Sequence, residues 1–117
     1  FSLLMAEEGE ELVEYCEKGD LEKVKVLLAG GVDVNYRCEP VGRQGRTDRM
    51  TPLKAACKGG NADIIRLLLS QPDIGINHGE SGGTALYKAC EQGHEEIVEL
   101  LLEHPEIDVN KGNRYVW

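Results

Sequence analysis

The segment TPLKAACKGGNADIIRLLLSQPDIGIN begins at Thr51, and TALYKACEQGHEEIVELLLEHPEIDVN begins 33 residues later at Thr84. The same spacing links Leu53 to Leu86, Cys57 to Cys90, Gly60 to Gly93 and Asn77 to Asn110. An earlier copy, ELVEYCEKGDLEKVKVLLAGGVDVN, covers residues 11–35 and puts Leu12, Cys16, Gly19 and Asn35 in the matching places. The step from Cys16 to Cys57 is 41, eight longer than the period. This repetition constrains the fold more than any other feature. A unit of this length cannot bury its own apolar stripe, but stacked copies can bury one another's.

Each copy reads as the same supersecondary unit. Thr51 and Pro52 suit a helix start, with threonine as cap and proline at the first helical position. A short helix rich in small residues follows (Ala55, Ala56, Cys57), and Gly60 or Gly93 ends it. A second helix carries the stripe Ile64, Ile65, Leu67, Leu68 and Leu69, repeated as Ile97, Val98, Leu100, Leu101 and Leu102. Pro72 or Pro105 stops it, because proline cannot continue a helix. An extended piece ending in Asn leads to a glycine-rich turn, HGESGG at 78–83.

Composition agrees with small-residue helix packing. Of 117 residues 41% are apolar and only 5% aromatic, so the core is aliphatic and a β-sandwich is disfavoured. The net charge of −8 repels phosphate backbones and anionic lipid, so neither nucleic acid nor membrane is an expected partner. No apolar run is long enough to span a bilayer. A secretory leader and an Asn-x-Ser/Thr acceptor are also missing from this sequence. The cysteines at 16, 38, 57 and 90 form no Cys-x-x-Cys and are too widely spaced for a disulfide scaffold. The expected location is a reducing one, cytoplasmic or nuclear. Met5 reads as a natural start, with Phe1 to Leu4 as residues ahead of it.

Thr-Pro-Leu or Thr-Ala-Leu, the Ala-rich first helix, the Gly-His step, the aliphatic second helix and Asp-Val-Asn, at this period, resemble ankyrin repeats. The resemblance covers roughly residues 10–113. It implies one domain over 5–117, an all-α solenoid of antiparallel helix pairs with β-hairpin loops between them. The repeats would lie at about 10–35, 51–77 and 84–110, with an extended loop at 36–50. The first copy has Glu10-Glu11 in place of Thr-Pro and resembles a capping repeat, whereas the third has no polar cap after it. The alternatives at that end are a lid made by Tyr115, Val116 and Trp117, a longer array of which this is a piece, and end-to-end self-association.

Cys90, His94 and Glu95 form one cluster that resembles metal chemistry, since cysteine and histidine four apart share a helical face. Repetition argues against it. Cys90 has counterparts at Cys57 and Cys16, and packed helices lie about 8–10 Å apart. The sulfurs of a zinc site sit within about 4 Å of one another. His94 aligns with Asn61 and Asp20, which are capping types, so a hydrogen bond to turn backbone is expected of it. Cys38, in the extended loop, has no basic partner fixed beside it. The acidic pairs Glu7-Glu8 and Glu95-Glu96 suit helix N-termini. No phosphate-binding loop or nucleophile elbow occurs, so neither catalytic residues nor cofactors nor metals are expected.

The expected function is non-catalytic protein binding through a concave face and an extended arginine-rich finger. The segment YRCEPVGRQGRTDRM at 36–50 carries Arg37, Arg43, Arg46 and Arg49 against Glu39 and Asp48. Its net charge of +2 projects from a body of −10. Arginine is enriched at interface hot spots and pairs with carboxylates, so an acidic protein segment is the expected partner. Two other readings stay open: a tolerated surface insertion, or arginines folded back on Glu10, Glu11, Glu14 and Glu17. The ankyrin resemblance implies that finger tips and first-helix ends meet the partner. Here that face holds Thr47, Asp48, Met50, Lys58, Gly59, Glu80, Ser81, Glu91 and Gln92. Tyr87 stands where the family often has a bridging histidine, and is expected to be half-buried and structural. Asn35, Asn77 and Asn110 resemble the family's β-hydroxylation targets, with turn hydrogen bonding as their ordinary role. The alternative function is a targeting domain or fragment of a larger multidomain protein.

Overall fold

The computed structural model describes residues 2–37, 50–77 and 84–107, with side chains from Glu8 onward. Among these residues there are six helices and no strand. They are α1 (Ser2–Lys18), α2 (Leu21–Ala29), α3 (Pro52–Gly59), α4 (Ala62–Leu69), α5 (Ala85–Gln92) and α6 (Glu95–Leu102). The expected hairpin loops at 38–49 and 78–83 lie outside the described residues.

The repeated residues build the repeated geometry. Thr51 and Thr84 cap α3 and α5 from extended backbone, their hydroxyls accepting from Lys54 N and Tyr87 N at 3.2 Å. Gly60 and Gly93 end these helices in the left-handed region, at φ 81° and 75°, where a side chain is strained. Asp20 and Asn61 then cap α2 and α4 through Lys23 N (3.2 Å) and Ile64 N (3.0 Å).

The helices stack in two rows, α1–α3–α5 and α2–α4–α6. The core between the rows is aliphatic: Leu12, Val24, Leu53, Ile64, Ile65, Leu68, Ile97 and Leu101 are buried with Ala55, Ala56 and Ala89. Each of the larger side chains stabilises the stack by about 1.5–3 kcal/mol. Gly59 sets the α1–α3 spacing. An added Cβ there would overlap the Glu17 carbonyl oxygen, with the carbonyl carbon at 3.0 Å and Cys16 O at 3.3 Å.

The two ends of the stack differ. On the first unit, Glu11, Glu14 and Lys18 stand where the second has Pro52, Ala55 and Gly59. Lys23 is exposed where Ile64 is fully buried. The first unit thus carries charged side chains at positions the second unit buries, as a cap does, while Val26 of α2 is 66% exposed. α1 is longer than expected, starting at Ser2, upstream of Met5. Glu7 and Glu8 therefore lie in the body of a helix rather than at its start. Gly9, unfavourable mid-helix, admits the Tyr36 ring, three of whose carbons lie within contact distance of any Cβ placed there.

Candidate protein interface

The exposed ends of α3 and α5 bring three of the expected contact residues onto one edge. Lys58 closes α3 with a favourable charge for a helix C-terminus, and Glu91 and Gln92 close α5. All three are exposed. Glu91 is held in place, since the Tyr87 hydroxyl donates to its carboxylate at 3.2 Å. That hydrogen bond raises the phenol above its ordinary range, with a smaller contribution from burial. Tyr87 is half-buried, but its hydroxyl meets its own helix.

Other expected residues fall elsewhere. Met50 is 2% exposed and belongs to the core, so its side chain faces no partner. An apolar residue just before a helix cap packs under the helix, and its place beside a polar loop hid this. Gly59 is exposed, and an added Cβ there would meet the α1 backbone. Arg37 is exposed and engaged by neighbouring groups. Arg43, Arg46, Thr47, Asp48, Arg49, Glu80 and Ser81 lie outside the described residues, as do Cys38 and Asn110. The root of the 36–50 segment is anchored by Tyr36, whose hydroxyl donates to Glu10 Oε2 at 3.2 Å.

Two contact ladders that the sequence did not reveal run along the stack. Asn35 reaches past its own turn to the next unit: its amide donates to Asp73 O at 2.6 Å and its oxygen accepts from Gly75 N at 2.7 Å. Asn77 donates to Glu106 O at 2.6 Å in the same way. The second ladder joins cap to glycine. Asn61 donates to Gly19 O at 3.4 Å, and the His94 ring lies over Gly60. His94 makes no side-chain cap hydrogen bond, contrary to expectation, because its ring is turned to that glycine. Among the described residues no three His, Cys, Asp or Glu side chains converge as a metal site. Cys16 and Cys57 are buried free thiols and Cys90 an exposed one. Burial pushes Cys16 up to about 12, and pushes Cys57 higher still with a contribution from neighbouring Cys90. No described helix is long and apolar enough to cross a membrane.

Stacked helix pairs in two rows, with small residues at the close approaches and an exposed edge of helix ends, define a repeat solenoid of the protein-interaction class. The family model described as Ankyrin repeats (3 copies) matches residues 12–113, and this chain belongs to the ankyrin-repeat family. It is also similar to the human protein named Transient receptor potential cation channel subfamily A member 1, at 35% identity over 71 residues. That match covers 60% of this chain and 6% of the channel protein. Ankyrin repeats generally mediate protein–protein interaction and are typically non-catalytic.

Proposed function

We propose that this chain is a non-catalytic binding module that meets a protein partner through its first-helix ends and its arginine-rich segment at 36–50. The observation that carries the reading is the edge formed by Lys58, Glu91 and Gln92, exposed on a rigid two-row stack. Preformed geometry loses little ordering entropy on binding. The arginines at 37, 43, 46 and 49 supply charge-steered contacts to an acidic segment. Free thiols at 16, 57 and 90 support a reducing compartment, cytoplasmic or nuclear. The test is affinity capture from lysate with the native chain and with a variant carrying serine at those four arginines, at low and high salt. A protein retained by the native chain alone, and released by salt, supports the reading. Equal, salt-insensitive capture refutes the arginine contribution.

A second reading, a targeting domain or fragment of a larger multidomain protein, is favoured by the small share of the human relative that this chain spans. The full reading frame tests it.

A further inference from the structure

Of α3, only the last turn meets solvent. Pro52 to Cys57 are buried, and Lys58 and Gly59 alone are exposed. On α5, Glu91 and Gln92 stand in the same two places, 33 residues on, and are exposed too. On α3 the exposed strip is therefore narrow, about 3 Å along the helix axis. It carries one charge of each sign, a lysine on α3 and a glutamate on α5. Neither forms an ion pair among the described residues. Tyr87, half-buried one turn before Glu91, donates its hydroxyl to that carboxylate at 3.2 Å, so an aromatic ring stands beside the acidic position. The matching residue on α1, Glu17, is half-buried and engaged by neighbouring groups, which leaves Lys58 and Glu91 as the readable pair.

Given that the helix ends are the interface, as proposed above, we infer that this strip binds a polyproline-II segment of a partner protein that carries an acidic residue and, three positions away, a basic one. The acidic residue faces Lys58 and the basic one Glu91. Spacing selects the conformation. α3 and α5 are neighbours in one row, and packed helices lie about 8–10 Å apart. A polyproline-II chain has three residues per turn, so side chains three apart point the same way at a separation of about 9.3 Å. A β-strand presents same-side residues at about 6.6 or 13 Å, and neither matches. An α-helix offers about 10.5 Å between residues seven apart, but with a diameter of about 10 Å it is far wider than the exposed strip of α3. The polyproline-II backbone needs no hydrogen-bonding partner, which suits a surface with no strand among the described residues. Proline-rich segments also pack on aromatic rings, and Tyr87 supplies one beside Glu91.

The experiment uses the full 117-residue chain and labelled proline peptides in which only the charged positions vary. Fluorescence anisotropy at low salt should rank Pro-Pro-Asp-Pro-Pro-Lys-Pro-Pro first. Moving its lysine one position nearer or farther should weaken binding about two- to fivefold, from the loss of one exposed ion pair. Lys58→Glu should transfer the preference to the peptide with lysine at both positions, and Glu91→Lys to the peptide with aspartate at both. Each swap should change the ratio of affinities by about three- to tenfold, because a like-charge contact replaces an opposite one. Lys58 and Glu91 are exposed, so the swaps leave the fold intact, which an unchanged helical circular dichroism spectrum checks. Affinities indifferent to the spacing, no binding by any peptide, or preferences unmoved by the two swaps overturn the proposal. So does tighter binding of a helical peptide with aspartate and lysine seven apart. A native chain that prefers the two-aspartate peptide also overturns it, while leaving the arginine-rich segment standing as the contact. A lysate protein captured by the native chain and equally by both swapped variants would do the same.

Discussion

Replacing Gly59 by alanine sets two effects of opposite sign against each other. Glycine inside a helix is less stable than alanine by about 1 kcal/mol, and by less at the last helical position, so propensity alone predicts a gain of about 0.5 kcal/mol. Packing predicts a loss. The new methyl would overlap Glu17 O and lie 3.0 Å from its carbon. These are backbone atoms in the last turn of α1, and no rotamer change relieves them. Ordinary contact requires α3 to withdraw by ~1 Å, and a gap of that size forfeits up to half of each dispersion contact it opens. The contacts at stake involve Leu12, Cys16, Leu53 and Ala56, all at most 2% exposed. Overpacking of this kind costs about 1–3 kcal/mol, so the net expectation is a loss of about 1–2 kcal/mol. Urea unfolding should show a lower midpoint with an unchanged slope. A midpoint equal to or above the native one would refute the reasoning and place α3 farther from α1 than the structure has it.

Asn35→Ala leaves Asp73 O and Gly75 N without their bridge and should destabilise the chain by about 1–3 kcal/mol in the same assay. Asn35→Asp should not rescue it, since a carboxylate cannot donate to Asp73 O. Thiol labelling should modify Cys90 rapidly and leave Cys16 and Cys57 unmodified until the chain unfolds. The buried thiols also set a pH dependence. Cys16 titrates near 12 when folded and near 9.0 in its ordinary state, so between those values the unfolded chain has released a proton that the folded chain keeps. Stability therefore falls as pH rises through that window, by about 1.4 kcal/mol per pH unit for each such thiol. Cys16→Ala should flatten the decline measured by urea midpoints between pH 9 and 11. Arg66→Ala removes exposed contacts to Asp63 and Glu96, both 3.0 Å, and should cost only about 0.2–1 kcal/mol, an effect that high salt erases.

The repeats were legible because local chemistry and tertiary need coincide in them. Thr51 and Thr84 cap, Gly60 and Gly93 terminate, and the aliphatic stripes of α4 and α6 face inward, each from residues a few positions apart. What the sequence hid depends on residues far apart in the chain. Asn35 reads as a turn residue, and only stacking brings Asp73 and Gly75 to it. His94 resembles the caps Asp20 and Asn61 and has the backbone position of one, but its ring is drawn to Gly60 in the preceding unit. Met50 was expected at the interface because the ankyrin resemblance puts the finger and the first-helix end against the partner, and burial overrode that expectation. Lys54 is a starker case: a lysine in this position reads as solvated, yet it is 2% exposed and engaged by neighbouring groups. The exposure of the helix ends at Lys58, Glu91 and Gln92 was legible, and that of Cys90 was not. Cys90 is the same residue type as its buried counterparts Cys16 and Cys57, and only its surroundings differ.

Because the first unit carries charge at positions that the second buries, while the third leaves Cys90 and Leu102 exposed, the chain has a direction in its stability as well as in its sequence. The third unit is held by a neighbour on one side among the described residues, whereas the second is held on both. Nearest-neighbour coupling of this kind makes opening begin where it is weakest and travel inward. Amide protons of α6 and α5 should exchange before those of α3, in the order of a zipper drawn from one end.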